Sequence, residues 1–94
     1  MYKYFIEFLG VIVILFASLL TEGNPYVMGI AYFSVYMIGR NVEMGHFNPL
    51  SVFSQYSLGR MSLKESVYYL TAQYLAAGCI ILTFMPIKTF IRGL

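Results

Sequence analysis

Three apolar runs dominate the chain: from about Tyr4 to Leu20, from Pro25 to Arg40 and from Leu63 to Met85. Each is close to the ~20 residues that a helix needs to cross a ~30 Å hydrocarbon core. Of the 94 residues 60% are hydrophobic and 11% are charged, and the mean hydropathy is +0.73. Soluble domains carry roughly 25% charge, and so short a chain has too much surface for its volume to hide this much apolar area. The charges fall near the ends of the runs, as insertion into lipid requires. The pattern predicts an all-α, multi-pass integral membrane protein, with residues 1–94 forming one domain. The first run has the ingredients of a cleaved leader, one lysine, an apolar stretch and then Ala17-Ser18. Its length and the two runs that follow favour a retained first helix.

Helix signals mark the ends of these runs. Thr21, Glu22, Gly23 and Asn24 make a polar turn, with Pro25 at a first helical position. Ser62 and Glu65 form a capping box that opens the third run, and Pro86 is expected to close it. Asn-Pro occurs twice. Asn24-Pro25 opens a full-length run, so an N-cap explains it. Asn48-Pro49 opens something shorter, because Gly59-Arg60 reads as a helix end. The ~10 residues from Pro49 to Leu58 cover ~15 Å, half of a ~30 Å core. In the other direction, Asn41 to Asn48 is enough extended chain for ~20 Å. Residues 41–58 therefore read as a re-entrant loop and half-helix added to three transmembrane helices. The alternative is a loop on the membrane surface leading into a short interfacial helix.

Irregular backbone at membrane depth is tolerated only where protein covers it or where it lines a watery cavity. A half-helix ending at mid-membrane also presents its positive N-terminus there. Asn48 can cap that terminus through its oxygen and donate from its nitrogen. The carbonyls of Met44 to Phe47 would supply acceptors. Such donors and acceptors suit water or a small neutral polar solute. Other chemistries find little support. His46 has no neighbouring cysteine, aspartate or second histidine, which disfavours a metal site, and a hydrogen-bonded loop anchor suits it better. Cys79 is alone, so there is no disulfide framework, and it reads as a small buried packing residue. A net charge of +2 is too small to suggest nucleic acid. No nucleophile–base pair or phosphate-binding loop is present, so neither an enzyme nor a cofactor is expected.

Gly45-His46-Phe47-Asn48-Pro49-Leu50 resembles the first pore loop of the major intrinsic protein family, the aquaporins and glycerol facilitators. In many members that loop reads Gly-Ala-His-Phe/Leu-Asn-Pro-Ala. Glu7-Phe8-Leu9-Gly10 is similar to the family's first-helix Glu-Phe-Leu-Gly. Gly59-Arg60, Lys64-Glu65 and Ala72-Gln73 resemble short motifs at and inside its third helix. The resemblance spans the chain and implies the N-terminal half of an aquaporin. Met44, Gly45, His46, Phe47, Asn48, Pro49 and Leu50 would then line the pore. Met28, twenty positions before Asn48, falls at the family's filter position, where a flexible methionine restricts less than an aromatic ring. Leu50 stands in place of the motif alanine, Met44 and Ala76 in place of glycines. Ser51 holds the offset at which the family's second loop carries its filter arginine.

The resemblance also implies that Glu7 is a buried carboxylate accepting from the loop backbone. Read from its position alone, Glu7 could instead reach back to the interface. Gln73 fits loop support and helix–helix adhesion equally. Tyr2, Tyr4, Tyr68 and Tyr69 read as interfacial belt residues. The expected function is passive passage of water or small neutral solutes such as glycerol, through a pore formed only with a second half. That half would come from a homo-oligomer, such as an antiparallel dimer, or from a partner chain, with membrane lipid around it. The competing class is a non-conducting membrane protein or a helix-docking module.

Orientation is the first testable consequence. With a re-entrant loop, Lys3, Arg40, Arg60 and Lys64 lie on one side of the membrane, against Lys88 and Arg92 on the other. The positive-inside rule then places the N-terminus and the loop in the cytoplasm. An N-terminal reporter fusion is expected to report the cytoplasm. A reporter found exclusively outside would contradict it.

Overall fold

The computed structural model describes residues 2–43 and 45–93; the side chains of residues 42, 43 and 88–93 are outside that description. Met44, expected to line the pore, and the charges of Lys88 and Arg92 therefore lie outside the described residues. The described residues form an all-helical fold with four helices: α1 (Tyr2–Thr21), α2 (Pro25–Glu43), α3 (Pro49–Ser57) and α4 (Leu63–Gly93).

Local chemistry explains most of the ends. Asn24 Oδ1 accepts from the N–H groups of Tyr26 and Val27, which caps α2. Asn48 caps α3 in the same way, accepting from Leu50 N–H at 2.7 Å. At the other end of α3, Gly59 takes φ +75°. Its N–H reaches Tyr56 O, and Arg60 N–H reaches Gln55 O, a pairing that satisfies two orphan carbonyls. Ser62 Oγ accepts from Glu65 N–H at 3.1 Å. Only this half of the expected capping box forms, because the Glu65 carboxylate turns to Lys3 instead.

Two ends differ from expectation. α2 continues past Arg40 to Glu43, since Asn41, Val42 and Glu43 include no breaker before Gly45. The extended limb is correspondingly shorter, Gly45 to Asn48, and reaches ~14 Å at most. Pro86 does not close α4; it lies inside the helix. Proline removes one N–H donor there, and spanning helices tolerate that loss where neighbouring groups re-satisfy the freed carbonyl.

α1 sits between α2 and α4, α3 packs on α4, and α2 and α4 do not pack on each other among the described residues. The buried stripe of α1 is Glu7, Gly10, Val11 and Ile14. Against it lie Ala31 and Val35 from α2, and Tyr69, Ala72, Gln73, Ala76 and Ile80 from α4. Alternating steps of three and four keep the α4 residues on one face. Small residues on these faces let the helices approach closely. Tyr69 is therefore a buried contact, only 3% exposed, rather than a belt residue. Cys79 is exposed instead of buried, because Ala76 and Ile80 occupy the inward stripe on either side of it.

Two helices, α1 and the Leu63–Ile87 part of α4, are long and apolar enough to cross a membrane. Only 22% of each such stretch is buried, less than in the mostly buried core helix of a soluble domain, and the two helices fit a membrane protein. α2 has the length, but its tyrosines, Ser34, Arg40 and Asn41 make it less apolar.

Close packing gives a test. A Cβ at Gly10 would overlap the Phe47 ring and lie 2.7 Å from Val35 Cγ1, whereas one at Gly29 meets nothing within 4 Å. Gly10→Ala is expected to destabilise the fold by ~1–3 kcal/mol. Gly29→Ala should be neutral or stabilising by up to ~1 kcal/mol. Unfolding curves in detergent measure both, and equal effects would contradict the packing described.

Candidate functional site

Residues Gly45 to Asn48 fold back into the helix bundle, and the backbone N–H, the carbonyl and the ring Nδ1 of His46 are all engaged. Its N–H donates to Glu7 Oε1 at 3.0 Å, and its carbonyl accepts from the Tyr36 hydroxyl at 2.9 Å. Its ring Nδ1 lies 2.9 Å from Ser51 Oγ, and the ring meets Tyr69 edge-on at 4.7 Å. Phe47 N–H donates to Glu7 Oε2, which also accepts from Gln73 Nε2 at 2.8 Å. Glu7 has no exposed surface. All of these contacts are donors, which suits an acceptor-only carboxylate, and hydrogen bonds to a charged acceptor are among the stronger ones.

Phe47 adopts φ +55°, a conformation that costs a non-glycine residue roughly 1–2 kcal/mol. Its surroundings hold it there. The backbone N–H is fixed on Glu7, and the ring is buried against Gly10, Gly39 and Gly45, with Tyr36 edge-on at 5.4 Å. No glycine substitute would leave room for that ring: a Cβ on Gly39 would come within 2.7 Å of it.

Beyond Phe47 the chain reaches Asn48, beside a cleft of ≈ 270 Å³. The cleft is bordered by Val11 and Ile14 of α1, Tyr32 of α2, and Gln73 and Ala77 of α4. Each lies close to the midpoint of its helix's apolar stretch. Asn48 uses its Oδ1 for the α3 cap, and its Nδ2 makes no hydrogen bond among the described residues. Gln73 Oε1 is buried and unpartnered. Turning that amide over would aim oxygen at the Glu7 carboxylate, so the carboxylate fixes its orientation. An unpaired buried acceptor of this kind costs ~1–3 kcal/mol.

The expected site residues thus separate. Glu7, Gly45, His46, Phe47, Asn48 and Gln73 come together. Pro49 borders the cleft while remaining exposed, and Leu50 is 74% exposed on the outer face of α3. His46 and Phe47 turn their side chains into protein, leaving the loop backbone and Asn48 nearest the cleft. Met28 packs on the apolar cluster of Val11, Ile14 and Val35, and the α2 wall of the cleft is Tyr32. Tyr36, Gly10 and Gly39 were not anticipated as loop supports. Glycine inside a helix costs ~1 kcal/mol relative to alanine, and that is the sequence signal the two glycines carried, whereas Tyr36 carried none. Among the described residues no His, Cys, Asp and Glu cluster could hold a metal ion.

Neither protein-family models, nor curated proteins, nor solved structures give a match to this chain.

The Glu7 contacts predict a local effect. Glu7→Gln exchanges one acceptor oxygen for a donor that faces donors, and should destabilise the loop by ~1–3 kcal/mol. Faster hydrogen exchange at the His46 and Phe47 amides is the expected readout, with α4 amides beyond Ala77 little changed. Unaltered exchange at both loop amides would remove Glu7 as the support.

Proposed function

We propose that this chain is half of an aquaporin-like channel, which conducts water or small neutral solutes when a second half completes the wall. In this reading α1, α2 and α4 span the membrane, and Gly45 to Ser57 is a re-entrant loop and half-helix. One observation carries it: a buried carboxylate holds the loop so that Asn48 lines one cleft with residues from the middle of all three long helices. A surface loop would instead meet residues near helix ends. The sequence resemblance to the aquaporin pore loop supports the same reading.

The chemistry follows from what is left unpaired. Asn48 Nδ2 is a donor without a partner among the described residues, and α3 directs its positive N-terminus toward the cleft. Together they favour a permeant that offers a lone pair and oppose a cation. The loop carbonyls of Gly45 and Phe47, unpaired among the described residues, and Gln73 Oε1 are available as acceptors. Water, glycerol and urea each present both functions. No bond is made or broken, and transport is passive.

A single copy leaves the cleft open, because α2 and α4 do not meet among the described residues. The second half is another copy in the opposite orientation or a partner chain. In an antiparallel pair the two Asn48 residues would face each other at mid-membrane. Such a pore would lack a filter arginine and would be wider than an ordinary aquaporin, admitting glycerol-sized solutes.

Light scattering by liposomes containing the full chain tests this. Swelling in water or glycerol above protein-free liposomes is expected, with Asn48→Asp sharply reduced. A carboxylate there costs at least several kcal/mol in the absence of a partner. Equal swelling of both proteins would remove Asn48 from the path. No swelling above background, by correctly inserted protein, would favour the non-conducting or helix-docking reading.

A further inference from the structure

We propose that the outer face shared by α1 and α4 binds an anionic, two-chain glycerophospholipid; the proposal rests on the membrane-spanning reading of those helices. Two apolar grooves run along this face. The larger, ≈ 950 Å³, lies between α1 and α4 and is walled by Tyr4, Phe5, Phe8 and Tyr68. The smaller, ≈ 420 Å³, lies against Val67, Leu70 and Tyr74. Thr71 and Leu75 border both grooves and form the ridge between them. The Thr71 hydroxyl is turned back onto Val67 O at 2.7 Å, so the ridge makes no polar demand on an occupant.

The ridge ends in a cation. Lys64, Tyr68, Thr71 and Leu75 follow one another at steps of four, three and four, which is one stripe of the helix. Lys64 is exposed, its Nζ 5.9 Å from the Tyr68 ring centroid. At the same end, Lys3 Nζ lies 3.2 Å from Glu65 and 5.4 Å from the Tyr4 ring centroid. Among the described residues Lys64 has no carboxylate partner, so this mouth holds a cation that Glu65, paired with Lys3, does not neutralise. Tyr2, Tyr4 and Tyr68 surround it, amphipathic rings suited to the headgroup level.

Size and shape select the occupant. From Lys64 to Leu75 the helix rises ~16 Å, close to half of a ~30 Å hydrocarbon core. That is the depth of one leaflet. A phosphate at Lys64 would therefore carry acyl chains down to Leu75 and no further. A forked molecule fits two grooves parted by a ridge, which a single helix from another protein does not.

The full chain is reconstituted into nanodiscs of equimolar phosphatidylglycerol and phosphatidylcholine, released, and weighed by native mass spectrometry. The expected retained lipid is phosphatidylglycerol, favoured about fivefold per basic contact. Lys64→Gln should abolish the preference, while Arg60→Gln, a charge lost on the same side but off the grooves, should keep it. Leu75→Trp fills both grooves with the charge intact and should lose the retained lipid altogether. The proposal is overturned if Lys64→Gln keeps the preference, if Leu75→Trp keeps the lipid, or if a second copy is retained on this face in its place. A chain that alkaline carbonate strips from membranes would fail the spanning reading itself. A carbonate-resistant chain without lipid preference fails the proposal alone.

Discussion

A carboxylate with no exposed surface, Glu7, is the constraint on which the rest of this structure depends. Burying it is unfavourable unless its lone pairs are met, and three N–H donors converge on it from the loop and from α4. The same contacts meet the needs of two loop amides that would otherwise be orphans inside the bundle. Neither side is stable without the other. That reciprocity is what permits Phe47 to stay in a left-handed conformation and what fixes the height at which Asn48 is presented.

Several features follow from this single tie. Phe47 can enter the bundle only where helices approach without side chains, so Gly10 and Gly39 sit opposite its ring. Gln73 spends its nitrogen on Glu7 and leaves its oxygen unpaired. α3 then starts from the interior and packs on α4, with Leu50 and Phe53 exposed on its far side. An assembly of this form covers one side of the loop and leaves the other open. Under the channel reading that opening is where the second half belongs; the two grooves lie along α1 and α4, with Tyr74 bordering both the cleft and the smaller groove.

Much of the helical layout was legible from local signals. Apolar runs and caps at Asn24, Asn48 and Ser62 located α1 to α4, because capping depends on residues within one turn. Ends governed by weaker signals were misplaced. Arg40 was read as the end of α2 for its charge, yet nothing at Asn41 to Glu43 breaks a helix; Pro86 was read as a stop although one lost hydrogen bond did not end α4. Positions that depend on neighbours distant in sequence were the least legible. Tyr69 and Cys79 exchanged their expected burial because the inward face of α4 is decided by α1. The Tyr36 contact to His46, and the glycine cradle, join residues that no local pattern connects. The role written for Glu7 and the site on Met28 came from family resemblance, not from spacing or composition.

The central claim is that the N-terminal end of α3 lies at mid-membrane. Depth-dependent fluorescence quenching tests it directly, with labels at Leu50→Cys and Leu58→Cys in a Cys79→Ser background, in liposomes carrying quenchers at graded depths. Both positions are exposed on the outer side of the fold. The nine residues of α3 rise ~14 Å, so the Leu50 label should report the hydrocarbon interior and the Leu58 label the interface. Equal, shallow depths for the two labels would mean that α3 lies along the surface, and would contradict the account.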